Sequence, residues 1–264
     1  TGLSFDEYVE QRIWEYNIKL VKHIFLSTEL DPMFDTYPMK YYGIGFQIIS
    51  QPIQFILGGI ILKFQDIDSF GAHLLAKHFV VFTAFFISGI FVYLIISKII
   101  DNKFFCKTAT FLYLAYPYLL GHGLFSPKDI PFLCFWIICT YISINIFYNL
   151  TKGGHLKYSD VILISFLSAF LLSVRVAGVL IFIQYLFTLI IFLHSEKLQF
   201  KHFLQSHYKK ILSFILLTTL FTYLFYPVFW KNPLLFFDAV KMMSYHFNNV
   251  CTLTLGKCMF SKNL

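Results

Sequence analysis

The stretch Phe125-Ser126-Pro127-Lys128-Asp129-Ile130-Pro131-Phe132 sets a cation and a carboxylate side by side between two of the most apolar runs in the chain, Phe104 to Leu124 and Ile130 to Leu150. Each run is about 20 residues, the length that crosses a bilayer core at about 1.5 Å per residue. Lys128 and Asp129 are therefore expected at a membrane face, in a tight turn made by Pro127 and Pro131. There they either cap a helical hairpin or belong to a site. Arg175 raises the same question, because Ser173-Val174-Arg175-Val176-Ala177 is apolar on both sides of it. A charge at the centre of a membrane helix costs about 2.5–3.5 kcal/mol, less near an end. A bound anion would offset that cost, and snorkelling to the surface is the plainer alternative. Charges inside membranes mark sites by default, which favours a functional Arg175.

Asp6 and Glu7 sit in the first turn of a predicted helix, where carboxylates suit the helix dipole. Ser4 with Glu7 also makes a capping box, which accounts for Glu7 and leaves Asp6 less explained. A carboxylate at a membrane face can act as a general base. His122, in Gly121-His122-Gly123, lies near the same face as Lys128. It can assist a leaving group or serve as a hydrogen-bonded structural histidine. Asp66-Ile67-Asp68 matches the Asp-x-Asp of metal-dependent sugar-nucleotide enzymes, but no Rossmann glycine pattern accompanies it. His202 and His207 are not at the i,i+4 spacing of helical metal ligands. The sequence contains no P-loop, zinc-ligand set or hydrolase nucleophile elbow.

The elements that must position these residues follow from composition. Of 264 residues, 58% are hydrophobic and 13% charged, with a mean hydropathy of +0.68. Soluble domains carry about 25% charged residues, so the chain reads as an all-α, polytopic transmembrane bundle. Its net charge of +7 is no nucleic-acid signal, since the cations cluster in short loops between apolar runs. Cys106, Cys134 and Cys139 fall in or beside apolar spans as packing residues. Cys251 and Cys258 lie in a polar tail, where pairing and free thiols are both open. The absence of a first Met and the polar end, Gly256 to Leu264, suggest a piece of a longer chain lacking a first span and a C-terminal portion.

Residues 4–26 predict an amphipathic helix with an apolar stripe of Val9, Ile13, Tyr16, Leu20 and Ile24. Such a helix lies along the membrane or against the bundle. Residues 46–62 are apolar but interrupted by Gln47, Gln51, Pro52 and Gln54, and read as interfacial or re-entrant. Spans follow at His78–Ile100, Phe104–Leu124, Ile130–Leu150, Ser159–Val174, Ala177–His194 and Ile211–Trp230, the two around Arg175 short and possible sites of discontinuity. Lys98, Lys103 and Lys107, then Lys152 and Lys157, then Lys197, Lys201, Lys209 and Lys210 crowd alternate turns, which places those turns in the cytoplasm. The opposite face then holds the N-terminal region, Lys128-Asp129, Arg175 and the C-terminal tail. The predicted organisation is an extracytoplasmic first loop with interfacial helices over 1–76, a bundle of about six spans over 77–230, and a further extracytoplasmic loop over 231–264.

Taken together, Asp6-Glu7, Tyr42-Gly43, the Lys128-Asp129-Ile130-Pro131 turn, Ser173-Val174-Arg175 and Leu255-Gly256-Lys257 resemble a bacterial branch of the GT-C glycosyltransferases. The similarity is to family 39, the protein O-mannosyltransferases and aminoarabinose-type transferases, and it covers nearly the whole chain. The resemblance implies a helical membrane bundle that moves a sugar from a polyprenyl or dolichyl phosphate to a lipid, glycan or protein hydroxyl, with inversion. The first-loop catalytic carboxylate maps onto Asp6, with Glu7 beside it. The leaving lipid phosphate needs cations, for which Lys128 and Arg175 are the candidates, with Asp129, His122 and Tyr42 supporting. Asp129 could also hold a divalent cation, magnesium or manganese. A bacterial inner membrane is the expected location, ahead of the endoplasmic reticulum. Two other readings remain: a transporter or flippase for a lipid-linked or anionic solute, and a non-catalytic membrane scaffold.

Overall fold

The computed structural model describes residues 5–30, 38–245, 251–254 and 257–260, with side chains described over 7–30 and 39–242. Helix α1 (Phe5–Leu26) is the expected amphipathic helix. A 3-10 turn (Pro38–Tyr41) leads to α2 (Gly45–Phe64) and α3 (Ser69–Ile96), followed by α4 (Lys103–Ala115) and α5 (Pro117–Gly123). Then come α6 (Asp129–Thr151), α7 (Tyr158–Val174), a 3-10 turn (Val176–Val179), α8 (Leu180–Ser195) and α9 (Phe200–Leu224). Two shorter helices, α10 (Val228–Lys231) and α11 (Leu235–Tyr245), precede an antiparallel hairpin of β1 (Cys251–Thr254) and β2 (Lys257–Phe260). The hairpin departs from the all-helical expectation. Its register sets Cys251 opposite Phe260 and Cys258 opposite Leu253, so the two cysteines are diagonal rather than facing. Their side chains lie outside the described residues.

Among the described residues, four segments are long and apolar enough to cross a membrane: α2 (20 residues), α3 (28), α6 (23) and the 20-residue run Val176–Ser195. Helix α7 is apolar but shorter, at 17 residues. Large side chains such as Phe55 (79% exposed) and Phe64 (83%) face outward, as lipid-facing residues do. The protein is a membrane helical bundle.

Three sequence expectations change, each for a backbone reason. Residues 46–62 form one continuous helix, α2, with Pro52 inside it rather than at a break, and Gln47 and Gln54 on it are buried. The single span expected over Phe104–Leu124 is two helices. Pro117 removes an amide, and Tyr116 before it adopts φ −63°, ψ 116°, the extended region that a following proline enforces. The span expected over Ile211–Trp230 ends at Leu224, ahead of Pro227. The expected interruption near Arg175 is present: its extended backbone (φ −147°, ψ 137°) separates α7 from the next turn.

Helices α3 and α6 run side by side in the same direction. Phe91 meets Tyr141 at 5.4 Å between ring centroids, and Lys98 Nζ lies 4.7 Å from the Tyr148 ring centre. Helices α4 and α5 return between them, with Gly123 under Phe85 and Tyr113 Oη bonded to Ser88 at 2.7 Å. The lysine-rich turn around Lys98 and Lys152 thus occupies one end of the bundle, and Asp129 with Arg175 the other. Phe170 is the centre of the aromatic core. It packs on Phe135 (4.2 Å) from α6 and edge-on to Phe225 (5.5 Å) just after α9. Asp68 caps α3 by accepting from the Gly71 amide at 3.1 Å, which gives the Asp66-Ile67-Asp68 sequence a local structural role.

The segment leading into α2 presses against the end of α7. A Cβ on Gly43 would sit 2.6 Å from the Ser173 carbonyl oxygen and 2.8 Å from its Cα, both backbone atoms that cannot swing away. The chain is pinned there by the Ile44 amide donating to Phe225 O (3.2 Å) and by Tyr226 Oη donating to Leu172 O (2.9 Å). Burial pushes the Tyr226 hydroxyl up, so it stays protonated and remains a donor. Gly43→Ala is expected to destabilise the bundle by about 1–3 kcal/mol through overpacking, read as a lowered midpoint of thermal unfolding in detergent, with Gly59→Ala, which meets nothing within 4 Å, as the comparison.

Candidate functional site

Five elements meet at the Asp129 end of the bundle. Helix α1 brings Glu7 and Glu10, spaced i,i+3 and so on one face. Its buried stripe is Glu7, Glu10, Ile13, Tyr16, Asn17 and Leu20, so the apolar stripe read from sequence ends in two carboxylates. The start of α2 brings Gln47, with Tyr42 just before it. Helix α3 brings Lys77 and His78, the turn before α6 brings Ser126, Lys128 and Asp129, and the break after α7 brings Arg175.

The contacts sort into three units. Glu7 Oε1 lies 2.6 Å from His78 Nε2, with both side chains buried, and Lys77 Nζ donates to the Glu7 carbonyl at 3.2 Å. Glu7 Oε2 and His78 Nδ1 are buried without a hydrogen-bond partner. The Glu7 carboxylate therefore faces His78 across the bundle, where the sequence suggested a capping box with Ser4. Ser4 lies outside the described residues.

Glu10 is the hub of the second unit. Its Oε1 accepts from Lys128 Nζ at 2.9 Å, with the two side chains 8% and 12% exposed, and its Oε2 accepts from Gln47 Nε2. The Lys128 ammonium also lies 4.2 Å from the Tyr42 ring centre, a cation–π distance. Gln51 extends the same face, donating to Gln11 Oε1 at 3.0 Å. The glutamines that made α2 look interfacial are the surface on which α1 docks.

In the third unit Arg175 Nη1 lies 2.6 Å from Asp129 Oδ1, each side chain 40% exposed. Ser126 Oγ donates to Asp129 Oδ2 at 3.3 Å. Asp129 opens α6, where the helix dipole favours a carboxylate. Lys128 is thus committed inside the protein, whereas Arg175, a planar fork of five N–H donors held through one nitrogen, faces outward. Of the two cations expected to bind phosphate, the geometry favours Arg175 and makes Lys128 a tie between helices.

A largely apolar groove of about 690 Å³ runs between α7, α8, α9 and α11. Leu172 and Val176 flank Arg175 in sequence and line the groove, with Phe182 of α8, Phe214 and Thr218 of α9, and Phe236 of α11.

The remaining expected site residues fall elsewhere. The Asp6 side chain lies outside the described residues, although its backbone is in the first turn of α1. The His122 ring packs at a tilt against Tyr118 (4.4 Å) and Phe125 (5.7 Å), and its carbonyl accepts the Ser126 amide at 2.8 Å. It shapes the turn before Lys128, and among the described residues no carboxylate contacts it. The Asp129 carboxylate, a candidate ligand for a divalent cation, is engaged by Arg175. Among the described residues no group of three or more His, Cys, Asp or Glu gathers as a metal site.

Sequence reading missed Glu10, Gln47, Lys77 and His78. The i,i+3 spacing of Glu7 and Glu10 was a usable signal. The partners of Glu10 lie 37 and 118 residues away, and nothing local announces them. No protein-family model, curated protein or solved structure matches the chain.

Removing one partner of a buried ion pair strands the other charge, at about 3–5 kcal/mol. Lys128→Ala is therefore expected to destabilise strongly, whereas Glu10→Leu combined with Lys128→Met recovers most of the loss. Thermal unfolding of the two variants beside the wild type in detergent tests this, and equal losses in the single and the double variant would rule out the tie.

Proposed function

We propose that the protein is a membrane glycosyltransferase that moves a sugar from a polyprenyl-phosphate donor to a hydroxyl of a lipid, glycan or protein acceptor. The observation that carries this reading is the meeting, at one end of the bundle, of the acidic start of α1 and a half-exposed Arg175 whose sequence neighbours Leu172 and Val176 line an apolar groove. An amphiphile with an anionic head fits that combination. Its chain lies in the groove and its phosphate reaches the guanidinium, which binds phosphate through a bidentate fork. The charge distribution along the sequence supports an extracytoplasmic site.

In the reaction, the acceptor oxygen attacks the anomeric carbon as the bond from that carbon to the phosphate oxygen breaks. The electron pair leaves with the lipid phosphate, beside Arg175. The acceptor proton passes to a carboxylate at the start of α1, assigned to Asp6, and the anomeric configuration inverts. Fixed donors aimed at developing charge are the larger contribution in such sites, so Arg175 and the carboxylate divide the work. The Glu7–His78 pair lies one residue from Asp6 in the chain and stiffens that turn against α3.

The test supplies membranes containing the protein with labelled polyprenyl-phosphate sugars and follows label into lipid, glycan and protein fractions. Asp6→Asn is expected to abolish transfer while donor binding persists, and Arg175→Ala to weaken donor binding by roughly tenfold or more, the scale of a charge-assisted hydrogen bond. Full transfer by Asp6→Asn would remove the base assignment.

The break between α7 and α8 at Arg175 favours a second reading, a transporter or flippase for an anionic lipid or solute, since broken helices commonly line transport sites. Uptake or lipid translocation in reconstituted vesicles, without covalent product, would establish that reading in place of the first.

A further inference from the structure

The Arg175–Asp129 pair has a consequence for which phosphate the site holds, and this consequence rests on the reading of the site as one for a lipid phosphate. Arg175 is half-exposed, and it arrives with a carboxylate already on it at 2.6 Å. Asp129 cannot easily be displaced. It is the first residue of α6, its Oδ2 accepts from Ser126 Oγ at 3.3 Å, and its own amide donates back to that oxygen at 3.4 Å. The neighbouring cation gives no relief, because Lys128 is neutralised by Glu10 at 2.9 Å in a buried pair. A head group that binds Arg175 therefore shares the guanidinium with a fixed negative charge.

The two ends of a polyprenyl-phosphate transfer differ in just this charge. A sugar phosphodiester carries a single negative charge. The phosphomonoester left behind carries about −1.5 to −2 at neutral pH, its second pKa being about 6. Like charges within a few ångströms disfavour each other, and at a half-exposed site the effect is moderated by water and salt rather than abolished.

We propose that Asp129 determines the charge specificity of the site: held on Arg175, it makes the guanidinium prefer a singly charged phosphodiester lipid to a doubly charged phosphomonoester of the same chain. The donor is thereby retained and the spent lipid phosphate expelled. An ion pair serving only to fasten α7 to α6 would show no such discrimination.

The test measures binding of farnesyl phosphate and of its methyl ester, identical in chain and different in charge, to the full chain in detergent micelles at neutral pH and low salt. The wild type is expected to bind the diester several-fold more tightly than the monoester. Asp129→Asn, with Asp129→Ser as a second variant of the same charge change, is expected to tighten monoester binding by about tenfold while changing diester binding much less, so that the preference disappears. Arg175→Ala is expected to lose both. A wild type that prefers the monoester, or an Asp129 variant that shifts both lipids by the same factor, overturns the proposal and leaves the lipid-phosphate reading standing. A wild type that binds neither lipid overturns both. The wild-type comparison decides the matter even where a variant does not fold.

Discussion

The site end of this bundle depends on one buried ion pair. Glu10 and Lys128 lie 118 residues apart in sequence, and both are nearly removed from solvent. Two charges taken out of water are costly unless each finds the other and its remaining hydrogen-bonding groups are filled. Gln47 fills one of those groups on Glu10, and the Tyr42 ring faces Lys128. The result is a junction of α1, the entry to α2 and the start of α6 that cannot loosen at one point without exposing a charge at another. An apolar core could hold these helices together, but it would tolerate sliding. Directional charge pairs set their register.

That junction explains why the two expected phosphate-binding cations are not equivalent. Lys128 is consumed by the architecture. Arg175 is held by one nitrogen, half-exposed, on a backbone break where α7 ends and a short 3-10 turn begins. The close approach of Gly43 to Ser173 lies two residues before that break. On the proposed reading, the structure separates the residue that builds the site from the residue that meets the ligand.

Much of the fold was legible in the sequence. Long apolar runs, proline and glycine punctuation and the alternation of lysine-rich turns predicted a helical membrane bundle with Lys128, Asp129 and Arg175 at one end. The amphipathic first helix was legible from its 3.6-residue period. The errors have physical causes. Sequence cannot say whether a polar stripe meets water or another helix; Gln47 and Gln51 of α2 meet α1. Pro52 sits inside α2, whereas Pro117 divides a run that hydropathy alone would join, because only there does the preceding residue turn extended.

The sequence by itself determined what kind of solvent this chain requires and which charges had to be explained, since hydropathy, period and loop charge are local properties carried by neighbouring residues. Only the tertiary structure decided which carboxylate takes which partner. Glu7 faces His78, Glu10 faces Lys128 and Asp129 faces Arg175, pairings that join residues 46 to 118 positions apart. Contacts through space do not depend on order along the chain, so no spacing rule could have revealed them. Burial then set the two cations apart, closing Lys128 inside the protein and leaving Arg175 half-exposed.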